Sequence, residues 1–164
     1  MTLAGVTAVV ALTSCTVAPN PPDFGYRMEG GVLVVAFPRC PAESIVGAAV
    51  VVSVRDEGRG DGFEDLWRAE KPVRREVREG RFFVANSTSF RDVEQPLRGV
   101  LPKVFFVEVS FTGADGKVKV RTGVVKLGAL KGTELRDGQY MTWDQEVPKA
   151  MTRQQIDAQR KCRP

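Results

Sequence analysis

Between Asp56 and Asp65 the sequence DEGRGDGFED places five carboxylates in ten positions, and glycine-containing, oxygen-rich segments of this kind can serve calcium. Asp56, Asp61 and Asp65 are the side chains that would do so. Their spacing departs from the D-x-[DN]-x-[DN]-G pattern, and Arg55 and Arg59 offset part of the charge, so a solvated connection between strands is expected and no metal is assigned. Glycoside hydrolysis would use two carboxylates facing a cleft, and the spacing of the acids singles out no such pair. The chain has no histidine, which removes HExxH zinc sites, Ser-His-Asp triads and Cys-His pairs together. No SxxK occurs either. A non-catalytic protein without a cofactor is therefore expected, with a carboxylate-dependent hydrolase of wall carbohydrate as an alternative.

Tyr140 and Trp143, in GQYMTWDQ, stand outside the expected strands. Rings so placed stack on sugars or anchor protein interfaces, which makes the pair a candidate binding surface; covering one end of the core is the other use of such rings. Lys71, Arg74, Arg75, Arg78 and Arg81 form a basic stretch interrupted by Glu70, Glu76 and Glu79. Aromatics do not interleave with it, so it reads as a charged strand edge and no nucleic acid is expected as a partner. Asn86-Ser87-Thr88 fits a glycosylation sequon and is read as a turn. The net charge is +4. From Lys149 onward the cations Lys149, Arg153, Arg160, Lys161 and Arg163 face only Asp157, so the surplus sits in a tail that could lie against anionic lipid or wall polymer.

The run Leu3 to Leu12 is apolar or small and uncharged. It has the length of a signal-peptide core and falls short of the ~20 residues that cross a bilayer. Leu12-Thr13-Ser14-Cys15 follows and resembles the bacterial lipoprotein lipobox. The resemblance implies cleavage before Cys15, a diacylglyceryl group on its sulfur, and an extracytoplasmic protein held on the cell membrane by acyl chains. No Lys or Arg precedes the apolar run, a departure from the family's pattern. Residues 1–14 are then a signal peptide, and residues 15–23 a lipidated cysteine with a tether carrying Pro19, Pro21 and Pro22. With Cys15 consumed in this way, Cys40 and Cys162 remain as an even pair in an oxidising compartment, which implies a disulfide. Cys40-Pro41 and Leu66-Trp67-Arg68-Ala69 are also similar to features of small uncharacterised actinobacterial envelope lipoproteins, a likeness that implies no activity. The implied partners are the membrane through its anchor and a wall polymer or envelope protein, with membership of an envelope membrane complex as the alternative.

A chain of 164 residues that is 43% hydrophobic makes one globular domain. Val32 to Phe37 and Ala48 to Val54 are β-branched and bounded by Gly or Pro, and Phe24 to Met28, Leu66 to Arg68 and Arg81 to Val84 suggest further strands. In the segment Lys103 to Leu127, a four-residue loop Gly113-Ala114-Asp115-Gly116 would pair Thr112 with Lys117. Phe111 would then meet Val118, Val109 meet Val120, and Glu108 meet Arg121 on the opposite face, with a bulge or a shift of the alternation at Gly123. About seven strands at this spacing predict an all-β immunoglobulin-like antiparallel β-sandwich over residues 24–147, with a small β-barrel as the alternative. Thr152-x-x-Gln155 is a capping box, and it predicts a short basic helix within residues 148–164 that buries Ile156.

Overall fold

The computed structural model describes residues 23–56, 60–144 and 147–162. Cys15, the apolar run before it and the tether through Pro22 lie outside the described residues, as do Glu57, Gly58 and Arg59. Ten strands form two antiparallel sheets: β1 (Gly25–Glu29), β2 (Val32–Ala36), β3 (Ser44–Asp56), β4 (Gly60–Pro72), β5 (Arg81–Phe83), β6 (Phe90–Gln95), β7 (Val104–Thr112), β8 (Val118–Lys126), β9 (Gln139–Asp144) and β10 (Val147–Thr152). One sheet runs β10-β9-β1-β2-β5 and the other β6-β4-β3-β7-β8. Two separate sheets make a sandwich, not the barrel alternative. Within them β5-β2-β1 and β4-β3-β7-β8 reproduce the E-B-A and C′-C-F-G neighbours of an immunoglobulin-like sandwich. β6, β9 and β10 are additions, so the strand count exceeds the expected seven.

The core follows from two-residue periodicity. In β7, Phe105, Val107, Val109 and Phe111 all point between the sheets and are buried, where they meet Leu33, Val35, Val50, Trp67 and Phe82 from the neighbouring strands. Three short helices complete the described residues: α1 (Arg75–Arg78), α2 (Leu127–Lys131) and α3 (Arg153–Ala158). Thr152 caps α3 in a full capping box with Gln155, as its sequence predicts. Ile156 of α3 packs with Val34, Ala36 and Tyr140 on the outer face of the first sheet. Cys162, just beyond the helix, is bonded to Cys40 with an S–S distance of 2.05 Å.

Several expectations need correction. The β7–β8 loop takes five residues, closed by the Gly113 N–H donating to the Lys117 carbonyl at 2.9 Å, with Gly116 at φ 71°. Thr112 therefore faces Val118, Phe111 faces Lys119 and Val109 faces Arg121. A one-residue slip turns every β8 side chain to the other face. Val118 and Val120 consequently point to solvent, 63% and 57% exposed, while Arg121 and Gly123 face inward. Glu108 lies opposite Thr122, not Arg121, and is 3.7 Å from Arg68 instead. The β7–β8 register runs through Gly123 without a break, so no bulge forms there.

The acidic segment is strand rather than loop over most of its length, because β3 runs to Asp56 and β4 begins at Gly60. The basic stretch is not a single strand edge either: Lys71 is the penultimate residue of β4, Arg75 and Arg78 lie in α1, and Arg81 opens β5. The domain boundary placed after residue 147 falls inside β10, which pairs with β9 along its whole length.

Candidate functional site

The turn between β1 and β2 builds one end of the sandwich. Gly30 and Gly31 hold φ values of 56° and 82° between the paired residues Glu29 and Val32, the two positive-φ positions of a tight hairpin turn that glycine adopts freely. Beside this turn lie α2, the segment 97–101 and the turn after β5. Together they enclose an apolar groove of about 340 Å³, walled by Met28, Leu33, Val84, Leu97, Leu101 and Leu127. Val100, also on its wall, is 89% exposed. Ala85 contributes to the groove at φ 54°, a left-handed conformation that costs an alanine about 1–2 kcal/mol. Such local strain tends to collect at functional surfaces.

A second cleft of about 360 Å³ adjoins the first, and Met28, Gly31 and Lys131 line both. Among the described residues, the only ionisable side chains lining either are Arg27 and Lys131. Arg27 is partly committed: its guanidinium lies 3.1 Å from Glu29 and donates to the Gln139 carbonyl at 3.2 Å. Lys131 is exposed at the last turn of α2. Each cleft has the size of a small-molecule site, typically ~300–1,000 Å³.

The residues expected from sequence are placed elsewhere. Tyr140 and Trp143 do not share a surface, because an odd spacing on β9 sends them to opposite faces. Tyr140 is buried against Ile156 under α3. Trp143 packs on Tyr26 with ring centroids 5.3 Å apart and helps wall a smaller cleft of about 170 Å³ with Asp23, Phe24, Thr122, Gly123 and Val124. Tyr26 closes that cleft from inside. Its hydroxyl is buried without a hydrogen-bond partner among the described residues, and burial, reinforced by Asp23, pushes its phenol well above the usual range. Arg121, turned inward by the β8 register, lies over Phe24 and Phe37 at 5.4 and 5.1 Å and donates to the Pro38 carbonyl at 3.2 Å. Burial lowers its guanidinium to about 10, with Arg160 adding to the effect.

Asp65, the calcium candidate whose side chain is described, receives two hydrogen bonds from Arg68 at 2.6 and 3.0 Å; the side chains of Asp56 and Asp61 lie outside the described set. Among the described residues no group of three possible ligands is positioned to hold a metal. Glu43 is the one buried carboxylate there, and it accepts from the Cys40 N–H at 2.8 Å and pairs with Arg160.

The basic tail is also largely engaged in folding. Arg153 donates to the Gly80, Glu79 and Phe37 carbonyls at 2.7, 2.9 and 3.0 Å and pairs with Asp157. Lys149 and Lys161 remain exposed. Asn86 forms the expected turn, its side-chain oxygen accepting from the Thr88 N–H at 2.8 Å.

The groove itself escaped the sequence reading. Its signal is Leu97, Val100 and Leu101 between Pro96 and Pro102, large aliphatic residues in a segment that no strand claims. No protein-family model, curated protein or solved structure matches this chain.

Proposed function

We propose that this chain is a non-catalytic binding module of a bacterial cell envelope, held on the membrane by lipid at Cys15, with the apolar groove as its ligand-binding face. One observation carries the reading: the point where the described chain begins and the groove occupy opposite ends of β1. At the first end the Asp23 N–H donates to the Gln159 side chain at 2.9 Å, and Gln159 donates back to the Asp23 carbonyl at 3.1 Å. At the other end Met28 and Gly31 line the groove, about 17 Å away at ~3.4 Å per strand residue. A lipid attached at Cys15 would thus leave the groove directed away from the anchor. Two acyl chains would hold such a domain stably where one binds only marginally.

The test is fractionation of cells expressing the Cys15→Ser variant. The variant should leave the membrane fraction while its folded domain melts at the same temperature as the parent. Retention in the membrane would end the anchor reading.

A second reading, membership of an envelope membrane complex, is favoured by β8, a sheet edge carrying exposed Val118, Val120 and Val124 on one face. Stoichiometric co-purification after mild detergent extraction distinguishes it from the first.

A further inference from the structure

We infer that the groove binds one long-chain carboxylate, its hydrocarbon tail along Met28, Leu33, Leu101 and Leu127 and its carboxylate beside Lys131. The inference rests on the reading of the groove as a ligand site and names the ligand's class. The walls are aliphatic, and Val100 stands 89% exposed among them, so an alkyl chain would remove from water a surface that folding leaves wet. Among the described residues lining the apolar groove, Lys131 is the one polar side chain. Lys131 lies where the two clefts join, since it lines both, and no carboxylate of the described residues pairs with it.

Charge then selects among amphiphiles. Both ionisable lining residues are cations, and among the described residues neither cleft has an acid on its wall, which disfavours a cationic or zwitterionic head. Arg27 already faces Glu29, leaving Lys131 as the single uncommitted cation, matched to a single negative charge. Both clefts are open at the surface, and their continuity through Met28 and Gly31 suits an extended chain better than a compact ring.

The test is calorimetric titration of the folded protein with alkyl carboxylates from octanoate to dodecanoate, each below its micelle concentration, and with dodecyltrimethylammonium as the cation of matched tail. One-to-one binding is expected, tightening about fourfold per added methylene until the groove is filled. Val100→Asp, at an exposed position, should weaken dodecanoate at least about tenfold. Lys131→Glu should weaken dodecanoate by about tenfold and bring dodecyltrimethylammonium to comparable or better affinity. Absence of saturable binding to the parent protein overturns the inference. So does affinity indifferent to chain length, or a preference of the parent for the cation, although that last result would keep the groove as a ligand site. Adsorption to anionic vesicles without one-to-one uptake of the monomer would also overturn it and make the segment 97–101 a membrane-touching surface. The anchor at Cys15 is judged independently by fractionation, so failure of one leaves the other readable.

Discussion

The Tyr26 hydroxyl occupies the space that a side chain at Gly123 would need. A Cβ built on Gly123 would overlap that hydroxyl and lie 2.7 Å from the edge of the Phe24 ring. Both rings are buried in the core and cannot swing away cheaply, so the glycine permits the two sheets to approach. Gly123→Ala should destabilise the protein by about 1–3 kcal/mol through overpacking. Gly128→Ala, where an added Cβ in α2 meets nothing within 4 Å, should be neutral or stabilising by up to ~1 kcal/mol. Chemical denaturation of both variants checks the pair, and equal midpoints would contradict the assignment of Gly123 as a contact point.

Arg153 acts as a clamp between α3 and the strand ends. Its guanidinium satisfies three carbonyls from two separate segments and is itself held by Asp157. Arg153→Ala should cost about 1–2 kcal/mol, because the Phe37 carbonyl loses its donor while the Gly80 and Glu79 carbonyls keep the Phe37 N–H and the Arg39 guanidinium. Arg153→Lys should recover only part of it, since an ammonium lacks the planar fork. Urea midpoints measure both; a lysine variant as stable as the parent would show that charge alone holds the helix.

The β7–β8 loop carries a pH signature. Lys119, 3.1 Å from the Asp115 carboxylate, and the Lys117 N–H hold Asp115 below its usual range. The folded-state value lies beneath the unfolded one, so this stabilisation is present above the unfolded value near 3.9 and is lost as pH falls through the folded one. A carboxyl-carbon NMR titration should place the Asp115 midpoint below that of a free aspartate and raise it in Lys119→Ala. A midpoint at or above the ordinary value would remove the ion pair from the account.

The sandwich was legible wherever strands alternate cleanly. In β7 the residues 105, 107, 109 and 111 announce the core face, and Thr152 with Gln155 announces the start of α3. Three strands were hidden for separate physical reasons. β9 buries residues on both faces, with Tyr140 on one and Met141 on the other, and so lacks alternation. β10 contains Pro148, acceptable because that strand forms a sheet edge. In β6, charged and polar residues surround Val93 and mask its period. The β8 register was missed by one residue because loop length, which is set by local turn chemistry, decides which face every valine takes. The Cys40–Cys162 pairing followed from the compartment that the lipobox implies. The groove could not be read in the same way, since its walls come from β1, β2, α2 and two connections that only the fold assembles.

The bond between Cys40 and Cys162 spans 122 positions of chain and so makes most of the domain, the segment 97–101 included, one covalent ring. A protease that severs the segment 97–101 would open the ring without releasing a piece. Such damage would add only one water to the intact mass, and the two fragments would part only when a reductant opened the disulfide.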